Sequence, residues 1–247
     1  MLIKLWVIII ALIMGSFLNV VIHRIPRKES VLWPGSHCPD CGHNLKTGDL
    51  IPVFSYIWLG GRCRYCGQRI SLRYPLVELL TVLSFLLIFN KWGLTIAAGV
   101  GYIFTVLLII TAFTDIEEGI IPDRITYPGI IMGLLLSFYT IGIRAAVIGL
   151  VLFGGILLGA ALLSRGGMGG GDIKLAAVIG AFIGYEGSII TLFLASLMGG
   201  LWAVLLLLLG KANRKTAITF GPFLSMAAWL VWMYGKEIID LYSGLFI

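Results

Sequence analysis

The chain has 247 residues, of which 59% are apolar and only 12% are charged, with a mean hydropathy of +1.02 and a formal net charge of +6. Soluble domains carry roughly 25% charged residues, so a water-covered globule is excluded. The surplus of positive charge follows the loops rather than one patch, and no nucleic-acid partner is expected.

Residues 2–22 form the first apolar run, preceded only by Lys4 and followed without interruption by His23-Arg24. A cleaved leader would have a basic start, a shorter apolar core and a small-x-small cleavage site. The run is therefore read as a retained span. Further apolar runs cover 76–89, 94–113, 130–141, 145–163 and 189–209, several of them near the ~20 residues that cross a bilayer. A run at 173–184 is short for a span and is expected to be a short or broken helix that still crosses. The predicted fold is an all-α polytopic membrane bundle of about eight transmembrane helices, embedded in the lipid bilayer. Its predicted divisions are a first span (1–22), a cytoplasmic loop (23–74) and a helical bundle (75–247).

Charge supports that count. With eight alternating spans and the first loop inside, fourteen of the 18 basic residues fall on the cytoplasmic side. They comprise eight in the first loop, then Arg124, Arg165, Lys174, Lys211, Arg214 and Lys215; Lys4, Lys91, Arg144 and Lys236 lie outside. This is the asymmetry of the positive-inside rule.

All four cysteines lie in the first loop, as Cys38-Pro-Asp-Cys41 and Cys63-Arg-Tyr-Cys66, each pair followed by a glycine (Gly42, Gly67). Two residues between thiolates make a tight knuckle, and two knuckles complete a tetrahedron of sulfurs around Zn²⁺. Two disulfides are the alternative, disfavoured in a reducing cytoplasm. A four-thiolate site leaves no open position, so a metal here is expected to be structural. His37 and His43 flank the first knuckle and are read as exposed or supporting groups rather than ligands.

Ionisable groups within or at the ends of spans are costly and mark functional candidates. Asp115 closes the apolar run 94–113 and is followed by Glu117, Glu118 and Asp123, the last expected to cap a helix starting near Ile125. Asp172 follows the glycine cluster 166–171 and opens the next apolar helix, where the helix dipole favours a carboxylate. The glycines admit unusual backbone angles and close approach of another segment. No Gly-Lys-Ser/Thr follows them, so a phosphate-binding loop is excluded. In the eight-span arrangement Asp115 and Asp172 share one membrane edge. Two carboxylates brought together share a proton, so that one acts as base toward water and the other as acid. All three histidines lie in residues 23–43, which leaves no competing serine–histidine arrangement. A transporter, or an assembly factor docking a partner through its zinc loop, are the alternatives from other classes. The edge position of both aspartates and the lack of an inverted repeat speak against transport.

Taken together, Gly15-Ser16-Phe17-Leu18-Asn19-Val20 with His23-Arg24-Ile25-Pro26, the two cysteine pairs, Asp115…Pro122-Asp123, Gly169-Gly170-Gly171-Asp172-Ile173-Lys174 and Phe220-Gly221-Pro222-Phe223 resemble the type IV prepilin peptidases. The Gly-x-Gly-Asp element is also similar to that of other intramembrane aspartyl proteases. The resemblance implies a multi-pass bacterial inner-membrane enzyme that removes the basic leader from prepilins or pseudopilins at the cytoplasmic face, before the substrate's apolar helix. It implies catalysis by Asp115 and Asp172, zinc on Cys38, Cys41, Cys63 and Cys66, and N-methylation of the new N-terminus with S-adenosylmethionine. Glu117, Glu118 and Asp123 are expected to attract the basic leader, and Gly169, Gly171 and Lys174 to border the bound substrate.

Overall fold

A computed structural model describes residues 1–164, 168–211 and 218–244. The sequence features at Arg165, Gly166, Gly167, Arg214 and Lys215 lie outside the described residues. Among the described residues the molecule is helical: α1 (Leu2–Arg24), α2 (Phe54–Trp58), α3 (Arg73–Trp92), α4 (Ile96–Glu118), α5 (Asp123–Ser137), α6 (Ile143–Leu163), α7 (Gly170–Leu208) and α8 (Gly221–Gly244). Five of these, α1, α3, α4, α6 and α7, are long and apolar enough to cross a membrane.

The 39 residues of α7 are two helices joined end to end at Gly184, whose φ of 73° and ψ of −175° interrupt the helix. Only glycine takes that backbone geometry without strain. Counting the two arms, α1, α3, α4, α5, α6 and α8 with α7 give the expected eight bundle segments, and α2 is a separate short element. The first arm is the run that looked too short. Its 14 or so residues rise roughly 21 Å, less than the ~30 Å hydrocarbon core. Helix α5, at 15 residues, likewise falls short of the ~20 that cross a bilayer. It starts at Asp123, ahead of the predicted run 130–141, and ends at Ser137, where Tyr139, Thr140 and Gly142 close a turn on Leu136 and Ser137.

The chain forms two compact units, residues 1–110 and 111–247. In the first, α1 packs along α3, and a cluster of Val7, Ala11 and Phe85 is covered by Met14, Val82, Tyr102 and Val106. Gly15 sets how close these helices come, since a Cβ there would stand 2.8 Å from the Glu78 Cα. Both helices extend slightly beyond their predicted limits, α1 to Arg24 and α3 back to Arg73. The extension of α1 brings Arg24 into position to donate to the carbonyls of Ser30, Pro34 and Gly35, which ties down the start of the loop. Asn19 likewise donates to the Tyr74 carbonyl at 3.0 Å, and so joins α1 to the head of α3.

In the second unit, α7 packs against α5, α6 and α8. The α6–α7 contact is made through backbone. A Cβ on Gly149 would stand 2.4 Å from the Gly180 carbonyl oxygen, and one on Gly180 would stand 2.3 Å from that of Gly149. Lipid offers no hydrophobic drive for helix pairing, so small residues that let backbones meet supply the contact by dispersion.

Candidate active site

The site is assembled within the second unit from three chain segments. The first is the end of α4. Its last turn carries Asp115, and Gly119, at φ 64°, closes the helix by donating to the Asp115 carbonyl at 3.0 Å. A residue with positive φ just beyond a helix end is a common stop, and glycine takes it freely. The chain then runs through Ile120-Ile121-Pro122 into α5. Ile121 is buried here and acts as a wedge between the other two segments.

The second segment is the start of α7, where Asp172 is the third helical residue after the N-cap Gly169. Its carboxylate sits at the positive end of the helix dipole. Gly171 packs directly on the wedge: a Cβ would stand 3.0 Å from the Ile121 Cβ. Gly170 faces open space, and a Cβ on Gly169 would only touch Asp172 at ordinary contact distance. Of the glycines in the motif, Gly171 is the one the packing demands.

The third segment is the start of α8. The Gly221 amide donates to Oδ2 of Asp115 at 3.0 Å. A side chain at Gly221 would place its Cβ 2.7 Å from that oxygen and 3.1 Å from Ile121 Cδ1. The hydroxyls of Thr111 and Ser225 meet at 3.3 Å and hold α4 to α8 one turn deeper.

Asp115 is only 6% exposed. Asp172 has a buried oxygen, Oδ1, that no protein group satisfies, and Asp115 is the like charge acting on it. A buried carboxylate oxygen without a partner is rare. Chemically, the arrangement offers two carboxylates, one anchored by an amide and one with a buried oxygen left without a hydrogen-bond partner.

The flanking charges separate into two groups. Glu117 and Glu118 are exposed on the last turn of α4. Asp123 does not cap α5. Pro122 holds the N-cap position, and Asp123 is the first helical residue, its carboxylate paired with Lys174 of α7. Lys174 also lies 5.6 Å from the Tyr127 ring. Charge attraction across the two helix starts, two residues from Asp172, outcompetes local capping. Glycine 221 was missed as a site residue. Its signal was its place in the Phe220-Gly221-Pro222-Phe223 motif, which carries the resemblance without assigning Gly221 a role.

The cysteine module, in the first unit, consists of two copies of one turn. In the first, Cys38 N–H donates to the His43 carbonyl and Gly42 N–H to the Cys38 carbonyl, at 3.0 and 2.9 Å. In the second, Cys63 and Gly67 repeat this with Gln68 and Cys63, at 2.8 and 2.9 Å. Gly42 and Gly67 take φ of 69° and 74°, as the knuckle turns require. The four sulfurs lie within 4.8 Å of one another, and all four cysteines are free. Cys38 and Cys66 sulfurs are 3.9 Å apart, close to the ~3.8 Å edge of a tetrahedron with ~2.3 Å metal–sulfur bonds. Amides of Cys66 and Tyr65 bring the Cys63 thiol down to about 7. The Gln68 amide favours the Cys66 thiolate, but burial and the neighbouring thiols push this group up to about 12. Sulfurs this close ionise together only around a cation, and the set can hold a metal ion. The histidines lie outside the four-sulfur cluster. His43 stacks on Tyr65 at 3.7 Å, which packs one knuckle on the other, and His37 bonds the Gly35 carbonyl. Asp49 braces the second knuckle through Arg64 and Tyr65.

Comparison with known proteins agrees with both halves. Residues 9–92 match the bacterial peptidase A24 N-terminal domain, and residues 102–204 match the type IV leader peptidase family. Relatives named prepilin leader peptidase/N-methyltransferase include one from Aeromonas hydrophila, 35% identical over 98% of this chain and 94% of its own. One from Pseudomonas aeruginosa is 33% identical over 95% and 91%. One from Bacillus subtilis is 35% identical over 95% of each. No solved structure matches the chain. With nearly full-length similarity to three such relatives, and with matched regions covering the cysteine module and both aspartates, the chain belongs to the type IV leader peptidase family.

Proposed function

We propose that this protein is an intramembrane aspartyl endopeptidase that removes the basic leader from prepilins or pseudopilins, with Asp115 and Asp172 as its catalytic pair. The observation that carries the assignment is the packing on Ile121 of Gly171, next to Asp172, and of Gly221, whose amide holds Asp115, with Asp172 Oδ1 buried and unpartnered. Like charges at close range cannot both ionise, so the pair holds one proton between them. One carboxylate then removes a proton from water as it attacks the scissile carbonyl, and the other donates a proton to that carbonyl's oxygen. Collapse of the tetrahedral intermediate returns a proton to the leaving amine and frees the apolar helix with a new N-terminus. The amide of Gly221 keeps Asp115 in one orientation while this happens.

The supporting parts follow. Zn²⁺ on Cys38, Cys41, Cys63 and Cys66 would hold the loop, a structural role that needs no open coordination position. The positive-inside asymmetry of the basic residues supports a bacterial inner-membrane orientation with the loop and the catalytic edge on the cytoplasmic side. Glu117 and Glu118, exposed on the last turn of α4, and Asp123 are the acids that would attract a basic leader, Asp123 while paired with Lys174. Gly169, Gly171 and Lys174 border the substrate, with Gly171 and Lys174 also building the site. The relatives' names extend to N-methylation, and we assign that second step to this chain with S-adenosylmethionine as donor. The sequence has no separate methyltransferase domain and no glycine-rich nucleotide loop, so no residue is assigned to that donor.

The test is leader removal from a purified prepilin by the solubilised protein, followed by mass spectrometry. The expected product lacks the leader and gains a methyl mass when S-adenosylmethionine is added. Intact prepilin after incubation with folded protein would contradict the peptidase.

A further inference from the structure

Helix α2 (Phe54–Trp58) lies within the cysteine-bearing loop and is built inside out. Its Ser55 and Tyr56 turn inward, and the Tyr56 hydroxyl reaches the Ile70 carbonyl at 3.4 Å and lies against Gly61. Its apolar residues face away from the protein: Phe54 is 64% exposed, Ile57 69% and Trp58 87%. The spacing 54, 57, 58 puts these three on one helical face. Ile51, just before the turn into α2, is exposed as well. A continuous apolar face of this kind marks an interaction surface rather than a scattered surface residue.

Its attachment limits where that face can lie. Pro52-Val53-Phe54 is a tight turn in which Phe54 N–H donates to the Pro52 carbonyl at 2.7 Å and Val53 takes φ 64°, ψ −49°. This γ-turn geometry is rare and strained, above all for a β-branched residue. Glu78 holds it by accepting the Val53 N–H at 2.7 Å. Glu78 is 6% exposed and lies on α3, five residues past Arg73 at the start of a spanning helix. Five residues of helix rise roughly 7–8 Å. The polar layer of a bilayer is about 5–8 Å deep on each side. A turn bonded to Glu78 is therefore held at the boundary between headgroups and acyl chains, and α2 starts from that turn. Between residues 23 and 74 the chain carries eight basic and three acidic residues, a charge balance suited to anionic headgroups.

We propose that α2 is an interfacial helix, with Phe54, Ile57 and Trp58 inserted into the lipid headgroup–acyl boundary and with Glu78 as the tether that fixes its depth. Trp and Phe at this level are the usual anchors of membrane-interface elements. The zinc module is thereby moored to the bilayer through α2 as well as through α1 and α3. This inference stands apart from the peptidase reading, because it concerns lipid contact and not cleavage.

The test uses the full chain in nanodiscs, with lipids brominated near the headgroup end of the acyl chain or unbrominated. The fluorescence of Trp58 is taken as the difference between wild type and Trp58→Phe, a substitution that keeps the apolar anchor. The expected result is that this difference signal is quenched by the brominated lipid and shielded from aqueous iodide. Glu78→Ala, which removes the tether, should lower the lipid quenching, and Glu78→Gln, which keeps an acceptor for the Val53 amide, should retain it. Quenching of Trp58 by iodide with no effect of the brominated lipid would overturn the proposal. So would shielding from iodide that appears only when prepilin is added, which would make the face a peptide-docking surface. The Trp58→Phe comparison does not depend on how Glu78→Ala folds.

Discussion

At the scale of single residues, the site is governed by where a side chain is forbidden. Gly221 donates its amide to Asp115 and leaves no room for a methyl group. Gly221→Ala should therefore push the Asp115 carboxylate or Ile121 aside. Overpacking of this kind costs about 1–3 kcal/mol, and prepilin cleavage should fall by at least tenfold if the displaced group belongs to the proposed catalytic pair. Thermal unfolding and cleavage assays on one preparation check both effects. Charge at the rim acts differently. Reversing Glu117 and Glu118 together to Lys should raise KM for a basic leader several-fold and leave kcat nearly unchanged, since exposed charges steer substrates more than they alter chemistry. The effect should shrink at high salt, and unchanged kinetics would remove these acids from leader recognition. The aspartates and the cysteine pairs were legible in the sequence because their chemistry is tied to residue type. Gly221, Asn19 and Glu78 were not, because their importance comes from partners 106, 55 and 25 positions away. Glu78 did leave a trace, as a lone acid within an apolar run.

At the scale of elements, the short run at 173–184 shows what periodicity can and cannot give. Its length foretold a short or broken helix, and Gly184 breaks it. Its continuation into a second arm depends on φ at that one glycine, which composition does not encode. The pairing of α6 with α7 through Gly149 and Gly180 is similarly invisible in hydropathy, since both runs look like lipid-facing helices. The gathering of the four cysteines was legible from spacing, because each Cys-x-x-Cys pair makes a tight knuckle turn that brings its sulfurs together. Its removal gives a clear expectation. A strong chelator should strip one metal ion per chain and lower the unfolding temperature, while acidification should release the metal because protons compete for the thiolates. Elemental analysis with thermal unfolding measures this, and a chain that contains no zinc when purified would contradict the assignment.

At the scale of the whole molecule, class and number of bundle segments were legible because a bilayer imposes strong rules on length and charge. The assignment of α5 was less accurate: its start at Asp123 and its end at Ser137 are set by Pro122 and by the turn to Gly142, not by hydropathy. Orientation is open to direct measurement. Every cysteine of the chain lies in the loop after α1, so a membrane-impermeant maleimide added after chelation reports which side that loop occupies. Labelling is expected in inverted vesicles and not in spheroplasts; the reverse would place the loop and the basic segments outside.

The central claim, that Asp115 and Asp172 work as one proton-sharing pair, is tested most directly by cleavage rates of Asp115→Asn, Asp172→Asn and the double variant, with retained metal and unfolding temperature as controls for folding. Loss of a positioned acid or base costs about 10²–10⁴ in rate, and groups acting as a unit are strongly non-additive. Each single variant should therefore lose nearly as much as the double. Substantial cleavage by either folded single variant, or losses that simply multiply in the double, would contradict a shared catalytic pair.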